Sequence, residues 1–169
     1  MIFADTARTE TMLDEMAEKL RNNLGAQLSE CAMIGIHTGG VDVAKALHAR
    51  LGLSEPLGML SISFYRDDFS RIGLHPRVGA TDLPQQLEDR NVILVDDVLY
   101  SGRTVRAALN EIFDYGRPSR VVLACLVERS GHELPIRADV AGASVDLKPG
   151  QQIKLLTDPL SLQLEGEPE

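Results

Sequence analysis

Apolar side chains recur at Leu13, Ala17, Leu20, Leu24 and Leu28 in steps of four and three. That is the period of an amphipathic helix, which is therefore predicted over 11–28. Thr11 followed three residues later by Asp14 suggests a capping box at its start, with Asp in place of Glu. The short apolar run 32–36 predicts a buried strand. It ends at His37-Thr38-Gly39-Gly40 and flows into a second helical pattern over 41–51, with Gly52 as its stop. Leu60, Ile62 and Phe64 alternate with Ser61 and Ser63, the two-residue period of a half-buried strand. From 65 to 84 no period holds, and the segment contains Gly73, Pro76, Gly79 and Pro84. A loop of this length in a compact domain is usually functional. The run 92–95 predicts a buried strand that ends in two aspartates. A helix over 104–115 follows, stopped by Gly116 and Pro118, and 121–127 is another buried strand. The stretch 128–150 reads as irregular, and 153–156 with 160–164 as a closing strand pair.

Strands alternating with helices predict an α/β fold with a mostly parallel sheet, right-handed crossovers and one domain over 1–169. Ligands of such sheets bind at the carboxyl ends of the strands. Three segments should converge there: the 37–40 turn, the 96–104 turn and the 128–140 stretch.

Charge narrows the partners. Lys and Arg number 17 against 25 Asp and Glu, a formal net charge of −8, which disfavours non-specific coating of nucleic acid. Cys31 and Cys125 sit among apolar residues and read as small core hydrophobes of a reducing compartment rather than a disulfide framework. There is no secretory signal pattern at the start and no apolar run approaches the roughly 20 residues of a membrane span, so a cytoplasmic protein is expected.

The candidate chemistry lies in Val92-Ile93-Leu94-Val95-Asp96-Asp97-Val98-Leu99-Tyr100-Ser101-Gly102-Arg103-Thr104: a strand, two acids, a turn and a helix start. Unpaired N–H groups and the positive end of the helix dipole make an anion cradle there. Ser101 and Thr104 can add hydroxyl donors, and Gly102 lets a phosphate approach the backbone. Paired carboxylates beside a phosphate cradle suit a ribose between them, whose vicinal hydroxyls donate to charged acceptors for about 1.5–3 kcal/mol each. Paired aspartates at a strand end also serve as magnesium ligands or phospho-acceptors, and a hydroxyl-Gly-x-Thr turn can be only a helix cap. The dinucleotide fingerprint and the P-loop are absent.

Taken whole, the thirteen residues resemble the phosphoribosyl pyrophosphate (PRPP) signature of the type I phosphoribosyltransferases. The resemblance extends from about residue 10 to residue 145. Asp-Asp-Val-Leu-Tyr-Ser-Gly-Arg-Thr-Val-Arg-Ala at 96–107, Tyr-Arg-Asp-Asp at 65–68, Asp-Tyr-Gly-Arg-Pro-Ser at 114–119 and Glu-Leu-Pro-Ile-Arg-Ala-Asp at 133–139 are similar to the family of bifunctional pyrimidine operon regulators and uracil phosphoribosyltransferases. The resemblance implies formation of UMP and pyrophosphate from uracil and PRPP with Mg²⁺. Asp96 and Asp97 would hold the ribose and, through the substrate, the metal. Tyr100, Ser101, Gly102, Arg103 and Thr104 would hold the 5′-phosphate. His37, Thr38, Gly39 and Gly40 would form the pyrophosphate loop, and 65–84, with Arg66, Asp67 and Arg71, a flexible lid. Arg129, Pro135, Ile136 and Arg137 would belong to a hood over the base, within 129–150. A homodimer or higher homo-oligomer is implied, as is a cis or strained Thr38–Gly39 peptide bond.

Two departures from the family pattern matter. The pyrophosphate loop commonly reads Lys-Thr-Arg-Gly, and here it has lost both cationic side chains. Asp97 and His37 are the only local candidates for a general base. The basic run that contributes to binding an RNA leader reads Arg129-Ser130-Gly131-His132 here, and the first helix carries Asp14, Glu15 and Glu18 against Lys19 and Arg21. Affinity for RNA scales with the phosphates neutralised, so the acidic helix argues against inherited RNA binding and makes the enzyme the preferred reading. A UMP- and PRPP-sensing RNA regulator with weak catalysis is the alternative, favoured by the altered loop. Salvage of a purine base is a weaker third. His132 is expected to be a solvated loop residue, and His48 and His75 plain surface residues.

Overall fold

The computed structural model describes residues 1–62, 81–83 and 86–169. Its elements are β1 (Ile2–Ala4), α1 (Thr6–Leu24), a 3₁₀ turn (Gly25–Glu30), β2 (Ala32–Ile36), α2 (Gly39–Leu51), β3 (Gly58–Leu60), β4 (Asn91–Leu99), α3 (Arg103–Tyr115), β5 (Arg120–Arg129), β6 (Val140–Val145), β7 (Gln152–Leu156) and β8 (Ser161–Glu165). Five strands form one sheet in the order β3-β2-β4-β5-β6, and every adjacent pair is parallel. A small antiparallel sheet has the order β1-β8-β7.

The apolar runs follow from burial on both faces, as parallel sheets require. Ile93 and Val95 of β4 pack with Met12, Met16 and Leu20 of α1 and Val43 and Leu47 of α2. Val92 and Leu94 face the other way, against Val105, Ala108 and Ile112 of α3. Both cysteines are buried and unpaired, and burial pushes the Cys125 thiol well above its ordinary range, so it serves as a core hydrophobe. No helix among the described residues is long and apolar enough to cross a membrane.

Several expectations need correction. The first helix begins five residues earlier than its period suggested, because the Asp5 carboxylate accepts the Arg8 N–H at 2.8 Å and caps it. Thr11 lies inside the helix and donates back to the Ala7 carbonyl. The helix ends at Leu24, and 25–30 tightens into the 3₁₀ turn. β4 does not stop at the aspartates but carries them within the ladder, with Asp96 opposite Cys125 and Val98 opposite Val127. The stretch read as irregular contains β6, whose Val-Ala-Gly-Ala-Ser-Val sequence lacks the large alternating residues that advertise a strand. β3 covers only Gly58–Leu60, and Phe64 lies outside the described residues. So do Arg66, Asp67, Arg71, His75 and most of the expected lid. The returning end of that segment is described: Asp82 exchanges backbone hydrogen bonds of 2.7 Å with Met59. His48 is no plain surface residue, since its Nε2 lies 2.7 Å from the Glu55 carbonyl oxygen. The α2 pattern, the Gly52 stop and the closing strand pair agree with expectation.

Arg50 of α2 pairs with Asp14 at 2.8 Å and with Glu10, tying two of the acids of α1 to its neighbour. Two of the three bases of that helix are also engaged: Lys19 donates to the Ala141 carbonyl and Arg21 to the Arg50 carbonyl.

Candidate functional site

β4 lies at the centre of the parallel sheet, so its carboxyl end is flanked by those of β2 and β5. Asp96 is buried and accepts the Asp97 N–H at 2.8 Å; Asp97 accepts the Val98 N–H at the same distance. Each carboxylate thus has one oxygen fixed by a backbone N–H. Gly39 and Gly40, at the start of α2, close against this pair. A Cβ on Gly39 would lie 2.2 Å from Asp97 Oδ2, and one on Gly40 would lie 2.6 Å from the Val95 carbonyl oxygen. The absence of side chains at these positions is what brings the 37–40 loop onto the acids.

The expected cis bond falls one residue earlier, at His37–Thr38 rather than Thr38–Gly39. The physical reason is the helix start. Val41 N–H already donates to the Thr38 carbonyl, so Thr38–Gly39 belongs to the first turn, which is built from trans peptides. His37 N–H donates to the Leu60 carbonyl at 2.9 Å, and its Nε2 is buried without a hydrogen-bond partner.

Across the acids from that loop, Gly102 turns the chain with φ 94° into α3, a backbone geometry that favours glycine. The Ser101 hydroxyl accepts the Arg103 N–H at 3.2 Å. The N–H groups of a helix's first turn have no intrahelical acceptor, which is what an anion cradle requires.

What holds this loop in shape was not visible in the motif. Glu133 N–H and Leu134 N–H both donate to the Ser101 carbonyl, at 3.0 and 3.1 Å. Arg103 Nε and Nη2 both donate to Glu133 Oε2. Leu134 and Ile136 cover Gly102. Pro135, Ile136 and Arg137, expected in a hood over the base, therefore sit behind the phosphate loop, where they line a separate apolar cleft of about 370 Å³ with Val105, Leu109 and Phe113.

Tyr100 and Arg129 do meet. The Arg129 guanidinium lies 3.9 Å from the centroid of the Tyr100 ring. Arg129 is 9% exposed, and it donates from Nε to the Ser130 carbonyl and from Nη1 to the Gln151 carbonyl. Both residues line a cavity of about 400 Å³ together with Val98 and the segment 149–153. That segment was missed. Its signal was the Pro149-Gly150 turn leading into alternating Gln152, Ile153, Lys154 and Leu155, but nothing local placed it beside β4. His132 also departs from expectation. Its side chain is 11% exposed, its Nε2 is 3.5 Å from Glu128 Oε1 and its Nδ1 is buried without a partner, because the turn at Gly131 folds it back onto the end of β5.

Among the described residues no group of three or more His, Cys, Asp or Glu side chains could hold a metal ion alone. Asp96 and Asp97 nevertheless offer the hard oxygen donors that suit an ion held mainly by substrate phosphates.

Comparison with known proteins agrees with this arrangement. The phosphoribosyl transferase domain family matches residues 3–150. The chain is 55% identical over 161 residues to the "Bifunctional protein PyrR" of Nitrosococcus oceani, covering 90% of this chain and 91% of that one. It is 54% identical over 157 residues to the protein of the same name from Pseudomonas entomophila, covering 92% and 91%. Among solved structures, a Bacillus anthracis hypoxanthine-guanine phosphoribosyltransferase superposes with a TM-score of 0.70 at 17% identity, covering 86% of this chain and 83% of that one. A hypoxanthine-guanine-xanthine phosphoribosyltransferase does so with 0.66 at 18% identity, covering 88% and 80%. These last two share the fold. With an anion cradle, an acid pair and relatives of this closeness over nearly its whole length, the chain belongs to the PyrR family of phosphoribosyltransferase-domain proteins.

Proposed function

We propose that this chain forms UMP and pyrophosphate from uracil and PRPP in the cytoplasm, as a homodimer or higher homo-oligomer. The observation that carries the reading is the closure of the 37–40 loop on Asp96 and Asp97 beside the phosphate loop, with a cavity opening at Tyr100. The two carboxylates hold the ribose hydroxyls. Loop 100–104 takes the 5′-phosphate through backbone N–H groups and the hydroxyls of Ser101 and Thr104. The backbone of 37–40 faces the pyrophosphate. The base occupies the cavity walled by Val98, Tyr100, Arg129 and 149–153, which abuts the phosphate loop through Tyr100, rather than the cleft behind 135–137. Holding all three parts of PRPP in one orientation supplies much of the rate enhancement, since the ribose must develop positive charge at its anomeric carbon as the pyrophosphate departs. Asp96 and Asp97 would hold Mg²⁺ together with the substrate, and the ion would supply neutralisation of the pyrophosphate charge. The test is UMP formation from uracil and PRPP with Mg²⁺, run beside hypoxanthine and orotate. Product from uracil alone is the expected result, and turnover of hypoxanthine in its place overturns the assignment.

For the RNA-binding function, weak affinity is expected. Lys19 and Arg21 are held by backbone carbonyls, and Arg129, which a surface reading would offer to phosphates, is buried. With only a few phosphates contacted, affinity for a pyrimidine-operon leader should be weak already at about 50 mM salt and fall only modestly toward about 200 mM, because the salt slope scales with the number of phosphates neutralised. Tight, UMP-strengthened binding at physiological salt, measured by filter retention, would reverse the preference for catalysis over sensing.

A further inference from the structure

The cavity assigned to the base has an uneven set of walls. Val98, Pro149, Gly150 and Ile153 are apolar or backbone, and Tyr100 presents a ring. The side chains of Gln151 and Gln152 are already engaged, Oε1 of the first by the Lys148 N–H and Nε2 of the second by Glu165. Arg129 is the single charged residue among the described lining residues, and no carboxylate or histidine is among them. Among the described residues, a heterocycle bound there meets no group able to take its ring proton.

Arg129 itself cannot do so. A guanidinium has no acceptor site and stays protonated in proteins. Its orientation is fixed by three contacts: the Tyr100 ring, the Ser130 carbonyl and the Gln151 carbonyl. Nη2 has no hydrogen-bond acceptor among the described residues. Nor does any carboxylate pair with this buried cation among them. A buried charge in that condition is costly unless a ligand completes it. Arg129 also borders a smaller cavity of about 190 Å³ beside Glu128 and His132. Of the three groups that its guanidinium touches, Tyr100 and Gln151 line the larger cavity and Ser130 the smaller.

We infer that Arg129 is a catalytic residue: its guanidinium donates to an exocyclic oxygen of the bound pyrimidine and stabilises the negative charge that develops on the ring, so that the base reacts as its anion and no general base is needed. This rests on the cavity being the base site proposed above. The ring N–H bond breaks and its proton passes to water, while the electron pair spreads onto the carbonyl oxygens beside the guanidinium. The nitrogen–anomeric carbon bond then forms as the bond from that carbon to the pyrophosphate oxygen breaks, and the pyrophosphate leaves with that electron pair. The same donor selects the substrate class. A dicarbonyl pyrimidine accepts from Arg129, whereas an amino-substituted ring sets a donor against a donor.

The experiment compares uracil with 5-fluorouracil, whose ring N–H is the stronger acid, in the unmodified protein, Arg129→Lys and Arg129→Gln. Loss of one preorganised donor to a developing oxyanion costs about 10²–10³ in rate, so Arg129→Gln should lose about 100-fold in kcat/KM for uracil. Because the fluorinated base needs less help to ionise, its loss should be about tenfold or less. Arg129→Lys should fall between, and the KM for PRPP should stay within about twofold. Equal losses for the two bases overturn the inference and leave Arg129 a structural residue. Should the substitutions prevent folding, the ultraviolet spectrum of uracil bound to the unmodified protein with ribose 5-phosphate and pyrophosphate is followed against pH. Ionisation at lower pH than in free uracil supports the role, and ionisation at the pH of free uracil overturns it. That titration needs no turnover, so it separates failure of this inference from failure of the proposed activity, which shows as absence of UMP from the unmodified protein.

Discussion

Asp96→Asn combined with Asp97→Asn is expected to lower the affinity for PRPP by about 10²–10⁴-fold while the protein stays folded. Each carboxylate is assigned one charge-assisted hydrogen bond from a ribose hydroxyl, about 1.5–3 kcal/mol apiece, and every 1.4 kcal/mol is about tenfold in a dissociation constant. The fold survives because an asparagine oxygen can still accept the N–H groups that the two carboxylates now take, those of Asp97 and Val98. Titration calorimetry with PRPP and Mg²⁺ measures the loss, and circular dichroism checks the fold. An unchanged PRPP isotherm in the folded double variant would mean that the acids do not hold the ribose.

The second large effect separates two neighbouring glycines. In Gly40→Ala the new methyl meets backbone, the Val95 carbonyl oxygen at 2.6 Å and Asp96 Cα at 3.1 Å. Neither can rotate away, so α2 must shift off β4. Overpacking of this kind costs about 1–3 kcal/mol, which in a domain of this size lowers Tm by about 2–4 °C per kcal/mol. In Gly39→Ala the methyl meets the Asp97 carboxylate instead, at 2.2 Å from Oδ2. That side chain can turn aside, so stability should change by less than about 1 kcal/mol while PRPP affinity falls, since the displaced group is a ribose ligand. Thermal melts read the first change and calorimetry the second. A Gly40→Ala protein that melts with its parent would refute the packing of α2 on β4 described here.

The comparison of sequence with structure divides along contiguity. β2, α2 and α3 were legible because each signal is local: an apolar run, a 3.6-residue period or a stop such as Gly52. The acid pair and phosphate loop were legible for the same reason, being one unbroken stretch from 96 to 104. β6 escaped because an edge strand of small residues shows no alternation, and the extension of β4 through Asp96 and Asp97 escaped because two acids look like a loop. At the site, the wall formed by 149–153 reaches Tyr100 only after the chain has crossed β5 and β6, so no spacing rule connects them. The segment 133–139, expected in a hood, holds the phosphate loop through the N–H groups of Glu133 and Leu134, the Glu133 carboxylate and the cover of Leu134 and Ile136 over Gly102. A motif marks a segment as constrained without showing which of its faces touches what.

The two N–H groups that converge on the Ser101 carbonyl make the phosphate loop and the segment from 133 to 136 a single unit of inheritance. A chimera that receives residues 96–104 from a relative but keeps its own downstream segment sets a foreign loop against a partner shaped for the native one: position 101 must still present its carbonyl to both N–H groups and position 103 must still suit Glu133. Exchange should succeed only when both pieces travel together, although roughly thirty residues of helix and strand lie between them. Drift at Glu133 or Leu134 would then be tolerated only with compensating change at 101–103, and directed evolution of this site has to vary the two stretches jointly.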